Sequence, residues 1–413
     1  MSNLRIKLEK AINFHKSNEF EKAENLYNEV ILEKPDYFET YYYLGNLKIA
    51  LKDFKKAEEY FREAINYKPD FFQAYMNLGN TLKELSKFSE AEQIYKKTVD
   101  LNPNYTKAYY NLGALQQDQN RFEEAEVNLR KTIKTDPNFF QAYLNLGNTL
   151  KNLSKFEEAE IIFRKAIDLK PDNAKIYNNL GTILIDLVKL EEAEENIRKA
   201  IKLDSKLTEA YINLDLVLKQ KELLKIVNNK KKIKLQKLSP NPFVSKRKVE
   251  DKLVDYLYKI KTIELDETIK YDARYGNGKC SPDFNFFKTN PDLIDIENDI
   301  KEIIKKAVKS DIFVIDSFFN ILSAGGGTTP HKHVNQFDKT SGLINQKYSL
   351  TYYLSVGDQS STEPGVLKLY EPSQDILPEK GTIVIIPASR SHSAIYNGKS
   401  DRVMIGINFY SIW

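Results

Sequence analysis

The sequence predicts a multidomain protein: an all-α repeat solenoid over residues 1–224, a basic linker at 225–248, and an α+β domain with a jelly-roll (double-stranded β-helix) core over 249–413. Three observations lead there. Residue types recur at a fixed period of 34 through the first half, which marks stacked supersecondary units. Residues 219–248 then hold eleven lysines or arginines against a single acid, Glu222. From 311 onward the chain breaks into short runs rich in β-branched and aromatic residues, separated by Gly, Pro and Asp, the pattern of strands. A length of 413 residues is also too great for one ordinary core.

The repeat rests on several positions at once. Leu44-Gly45 returns at Leu78-Gly79, Leu112-Gly113, Leu146-Gly147 and Leu180-Gly181, and Ala57 at Ala23, Ala91, Ala125, Ala159 and Ala193. Pro35, Pro69, Pro103, Pro137 and Pro171 close the period, and Phe20, Phe54, Phe88, Phe122, Phe156 and Leu190 supply apolar filling. Small residues let two helices approach closely, and proline ends the second helix. A unit of this length and pattern resembles the tetratricopeptide repeat; six repeats are expected over roughly 7–210, with 211–225 as a closing helix. The first unit lacks Leu-Gly and the last has Ser205 in place of proline, as terminal units do.

Asparagine recurs within the first helix of each unit, at Asn77, Asn111, Asn145, Asn179 and Asn213, and three residues on at Asn80 and Asn148, with Asn46 one repeat earlier. Asparagine is a mediocre helix former, so its repetition needs a cause. Its amide both donates to and accepts from a peptide backbone. The resemblance to superhelical arrays such as that of O-linked GlcNAc transferase implies a ladder that holds an extended protein or peptide partner. The alternative is that these amides bond between helices. Tyr42 and Tyr110, one residue earlier than the ladder position, add area for stacking or packing.

Composition excludes several classes. The 62 basic and 58 acidic residues nearly balance at +4, which calls for neither nucleic acid nor a membrane surface as partner. The basic run at 219–248 reads as a solvated helix end and linker, since no aromatic interleaves it before Phe243. Cys280 is the single cysteine, which rules out an internal disulfide framework and a cysteine-built zinc site. The opening MSNLRIKLEKAINF lacks a long apolar core, no run is long enough to span a bilayer, and a cytoplasmic protein is expected.

In the second half, helical stripes at 249–263 and 292–309 flank a polar, glycine-rich loop from Asp272 to Pro282, and strands follow over DIFVIDSFFNIL, YSLTYYLSV, GVLKLYE, GTIVIIPA and RVMIGINFYSI. Three of the chain's four histidines, His331, His333 and His392, fall in this region; His15 lies in the first repeat and is taken as structural. The GGGTTP run at 325–330 is expected to be a turn that lets backbone approach a metal.

The histidine pair, the Tyr352-Tyr353-Leu354 strand, Pro-Gly-Val-Leu-Lys-Leu-Tyr at 364–370, Gly381 to Pro387, His392 and Arg402 together resemble the prolyl-hydroxylase-type 2-oxoglutarate/Fe(II) dioxygenases. That resemblance implies an Fe(II) site, 2-oxoglutarate as co-substrate held by Arg402 and Tyr353, molecular oxygen as oxidant, and hydroxylation of a protein or peptide side chain. Arg390 and Lys368 are weaker candidates for the carboxylate. One departure stands out: the family's His-x-Asp is His331-Lys-His333 here. Three arrangements remain open: a three-histidine site, Asp338 swinging in as the carboxylate, or a degenerate site. A non-catalytic scaffold with a degenerate β-core is the alternative function.

Overall fold

The computed structural model describes residues 2–229, 241–265, 274–275, 278–282 and 284–412. Residues 230–240 of the basic linker, and 272–273 and 276–277 of the polar loop, lie outside the described residues. The chain divides into two compact units, Met1–Asn179 and Leu180–Trp413.

In the first unit each period folds as two helices: Ser2–Lys16 with Phe20–Glu33, Phe38–Ala50 with Phe54–Tyr67, Phe72–Glu84 with Phe88–Leu101, Thr106–Asp118 with Phe122–Thr135, and Phe140–Asn152 with Phe156–Leu169. The turn inside each pair carries one residue of positive φ, at Asn18, Lys52, Ser86, Asn120 and Ser154, which ends the first helix in the left-handed conformation. The Leu-Gly pair has the steric role its spacing suggested. A Cβ on Gly79 would lie 2.6 Å from the Tyr95 ring, which is fully buried. Gly79→Ala gains about 1 kcal/mol in helix propensity, but overpacking a held ring costs about 1–3 kcal/mol. Net destabilisation of up to about 2 kcal/mol is expected in chemical denaturation; raised stability would show that the ring yields freely.

The second unit begins inside the helix Ala174–Asp186 and continues with Leu190–Leu203 and Thr208–Asn229. This last helix is longer than the expected 211–225. Its Asp215 accepts from Asn285 at 3.1 Å and Lys288 at 3.0 Å, and Lys219 donates to the Ile315 carbonyl at 2.8 Å, so the closing helix is fastened to the β-rich region.

That region holds twelve strands among the described residues: β1 (Phe243–Lys246), β2 (Ile263–Glu264), β3 (Arg274–Tyr275), β4 (Gly278–Cys280), β5 (Asp311–Leu322), β6 (Gly326–His331), β7 (Lys347–Val356), β8 (Leu367–Leu369), β9 (Gln374–Ile376), β10 (Thr382–Pro387), β11 (His392–Tyr396) and β12 (Arg402–Ile412). They form two antiparallel sheets, ordered β1-β10-β7-β12-β5-β4-β2 and β3-β6-β11-β8-β9. The GGGTTP run is only partly a turn. Gly325 takes φ +83° there, and Gly326 to Pro330 belong to β6, because they pair with β11 and β3.

Strand alternation decides what each sheet face meets. On β12, Val403, Ile405, Ile407 and Phe409 join Leu350, Tyr352 and Leu354 of β7 and Ile296, Ile300 and Ile304 of the helix Ile294–Val308 in one core. The opposite parity, Met404, Gly406 and Asn408 on β12 with Ser349, Thr351 and Tyr353 on β7, faces a cavity of about 450 Å³ whose other wall comes from β6, β8 and β11. Tyr353 therefore points inward and Tyr352 outward.

Candidate metal centre

β6 ends on His331 and β11 begins on His392, and the two residues pair across the ladder. His333, two positions beyond the strand, is fixed by its backbone N–H to the Ala388 carbonyl at 2.9 Å. The three rings each offer a nitrogen, all within 4.8 Å of one another, and Nε2 of His333 lies 3.3 Å from Nε2 of His392. Nδ1 of His331 lies 2.7 Å from the Thr329 carbonyl and Nδ1 of His392 lies 3.3 Å from that of Arg390. A carbonyl only accepts, so these Nδ1 atoms carry protons, which leaves the Nε2 lone pair of His392 turned toward Nε2 of His333. Two nitrogens about 2.1 Å from one ion at a right angle stand about 3 Å apart, close to the observed separation. The donor set fits a divalent first-row ion. Imidazole suits zinc, copper, iron and nickel alike, so it does not by itself select iron.

Electrostatics keeps the rings ready. Burial, then the neighbouring His392 and His331 rings and Lys347, hold His333 well below its usual value. Burial and His331 push His392 down to about 4. Both are neutral near pH 7, as metal ligation requires. For His392 the unfolded chain binds more protons than the folded one between about pH 4 and 6.5, so metal-free stability falls as pH drops through that window. Between pH 7.5 and 5 the loss is on the order of 2 kcal/mol. Denaturation curves at pH 7.5 and 5 should show it as a difference from His392→Gln; identical pH profiles would contradict it.

Asp338 does not join the three histidines. It is fully buried in a capping box with Asn335, pairs with the buried Lys347 at 2.9 Å, and accepts from the Tyr410 hydroxyl. Its expected role as a metal ligand is corrected accordingly: both oxygens are committed to holding the start of the helix Gln336–Thr340 against β7 and β12.

Arg402 opens β12. It shares the inward parity of Met404 and Asn408, but its guanidinium lies 5.5 Å from the Tyr353 ring and 5.1 Å from the Tyr396 ring and is not part of the cavity lining. Its amino groups donate to the Gly365 carbonyl and, at 2.6 Å, to the Pro364 carbonyl. Gly365 adopts φ +79° and a Cβ there would sit 2.1 Å from the guanidinium, so only glycine permits this approach. The register shift on β7 opposite Val403 and Met404 accompanies this placement. Among the described residues no carboxylate pairs with Arg402, which is fully buried with Nε unpartnered. Burial lowers its pKa. An uncompensated buried cation favours an anion, so the residues fit a carboxylate. The Tyr353 hydroxyl is pushed up to about 12 by burial, against the pull of Arg402, and stays a protonated donor. Arg390 is turned away, donating to the Pro372 carbonyl at 2.6 Å; Lys368 is exposed on β8.

The asparagines bond between repeats. Nδ2 of Asn77, Asn111 and Asn179 donates to Oδ1 of Asn46, Asn80 and Asn148 at 2.7, 2.6 and 3.0 Å. Asn145 has Ala114 at the matching place and reaches the Tyr110 hydroxyl at 3.4 Å instead. Asn213 is half-buried on Thr208–Asn229. Asn80 also accepts from the buried Tyr95 hydroxyl at 2.8 Å, so Asn80→Ala should cost about 1–3 kcal/mol by orphaning that group. An unchanged melting midpoint would contradict this. Among the described residues no donor reaches Oδ1 of Asn77 or Asn111, which leaves each an acceptor.

Sequence reading passed over Asn408, Ser349 and Lys347. Asn408 was findable by parity, since it shares the face of Arg402 and Met404.

Residues 38–71, 72–105, 106–139, 140–173 and 174–207 match models of the tetratricopeptide repeat, so these segments are protein-interaction repeats. Comparison with curated proteins gives no match. Similar solved structures include YrrB, described as a TPR protein with an unusual peptide-binding site, at 20% identity over 45% of this chain and 95% of that one, with TM-score 0.42. A MamA fragment from Desulfovibrio magneticus RS-1 is similar at 21% identity over 41% and 96%, TM-score 0.40. PilF of Pseudomonas aeruginosa is similar at 15% over 50% and 95%, TM-score 0.45. Among the described residues no helix is long and apolar enough to cross a membrane.

Proposed function

We propose that this chain is an Fe(II)- and 2-oxoglutarate-dependent oxygenase with a double-stranded β-helix core, hydroxylating a protein or peptide side chain recruited by its repeats. The observation that carries the reading is the convergence of three imidazoles in a cavity between two antiparallel sheets, with a buried, uncompensated guanidinium against its wall. His331, His333 and His392 would hold the ion. When bound, the ferrous ion with 2-oxoglutarate would supply the oxygen chemistry, consuming molecular oxygen and yielding succinate, carbon dioxide and a hydroxylated product.

The chain's own residues do the positioning. Three neutral ligands leave the ion's charge uncancelled, which favours a dianionic chelator. Arg402 binds its distal carboxylate by exchanging the Pro364 and Gly365 carbonyls for it, starting from the unpartnered Nε. The Tyr353 hydroxyl, which bonds no described residue, donates to the same carboxylate. Leu367, Ala394 and Met404 line the same cavity and exclude water there. The amide oxygens of Asn77 and Asn111 retain polar capacity for a peptide backbone.

The test is succinate formation by protein loaded anaerobically with Fe(II), then given 2-oxoglutarate and oxygen. Wild type should form succinate, and His392→Ala and Arg402→Ala should not; no succinate from wild type overturns the reading. The carbonyl bonds of Arg402 favour the other reading, a scaffold whose β-core only packs, and that result would select it.

A further inference from the structure

Asn408 is an anomaly on β12. It is 6% exposed and faces the cavity, yet its Oδ1 has no hydrogen-bond partner. An unsatisfied buried acceptor costs about 1–3 kcal/mol, and each such group in a folded protein calls for an explanation. The amide cannot turn over to relieve it. Nδ2 donates at 2.8 Å to Asp316 on the neighbouring β5; the carboxylate, pushed up by burial only to about 6, is ionised at neutral pH and only accepts. The nitrogen must face Asp316, so the oxygen is held away from it.

Directly opposite Asn408 on the other neighbour stands Ser349 of β7. It is also buried, also lines the cavity, and its hydroxyl bonds no described residue. Paired residues on one sheet face hold their side chains about 5 Å apart. The cavity thus carries, side by side, a fixed acceptor and a hydroxyl able to donate, beside the apolar Phe318. Both line the cavity that the three histidines also line. Lys347, next to Ser349 in parity, receives the backbone N–H of Ala388, whose carbonyl holds His333. Arg402 lies six residues back along β12, about 20 Å by strand rise.

We propose that Asn408 and Ser349 form the subsite for the substrate group and that this group is a neutral carboxamide, its N–H donating to Asn408 Oδ1 and its oxygen accepting from Ser349 Oγ. This rests on the oxygenase reading, which it deepens. A carboxylate would set a third acceptor against Asn408 and Asp316. An ammonium would meet the acceptor but leave the hydroxyl proton unused and would be repelled by a divalent ion at the histidines.

Three four-carbon fragments separate these cases: butyramide, butyrate and butylamine, titrated by ligand-observed NMR into Mn(II)-loaded and metal-free protein, with 2-oxoglutarate titrated separately. Butyramide should bind about tenfold more tightly than either charged fragment. Ser349→Ala, which removes one hydroxyl and should fold normally, and Asn408→Leu should each erase that preference. Preference for butylamine or butyrate, no binding of butyramide, or a preference that survives in Ser349→Ala overturns the proposal. Butyramide selectivity without any binding of 2-oxoglutarate sinks the oxygenase reading alone; 2-oxoglutarate binding without butyramide selectivity sinks this subsite alone.

Discussion

Asp338→Ala will destabilise the second unit by about 3–5 kcal/mol, because it leaves the Lys347 ammonium buried without its partner. Lys347 is 6% exposed at the side chain and Asp338 fully buried, at 2.9 Å. The same substitution removes the acceptor for the Tyr410 hydroxyl and for the Asn335 N–H. Asp338→Asn, which keeps shape and some of these bonds, should lose less and retain metal affinity. The pair of variants separates two roles. A ligand carboxylate would show the reverse pattern, with metal affinity abolished in Asp338→Asn and stability nearly unchanged. Chemical denaturation and metal titration on both proteins decide it.

Replacing any one of the three histidines with alanine should weaken metal binding by on the order of 100-fold or more, exceeding the loss typical of outer-shell partners. The Nε2 atoms of His333 and His392 are 3.3 Å apart, so each contributes an equivalent bond, and the cluster that brings in His331 spans no more than 4.8 Å. Calorimetric titration with Mn(II) checks this. If His331→Ala binds metal as tightly as wild type, only two rings ligate and the three-histidine site is wrong.

How much of this was legible in sequence depends on how local its cause is. The repeats were legible because each period carries its own instructions: Gly79 accommodates Tyr95 within one helix pair. Strand parity was equally local, so inward Tyr353 and outward Tyr352 followed from alternation. The fate of Asp338 had a readable signal that was missed: Asn335-Gln-Phe-Asp338 has the spacing of a capping box, which competes with ligation. The position of Arg402 was not readable. Its partners, the carbonyls of Pro364 and Gly365, belong to a loop nearly forty residues upstream whose path no periodicity encodes. The asparagine ladder lay between these cases, since its regular spacing was visible but not the direction of its bonds.

The most direct test of the central claim is an anaerobic titration of 2-oxoglutarate into protein with and without Fe(II). The expected result is binding at one equivalent that requires the metal and is lost in His392→Ala and Arg402→Ala. Binding that ignores the metal, or no binding to wild-type protein, would contradict an oxygenase built on these residues.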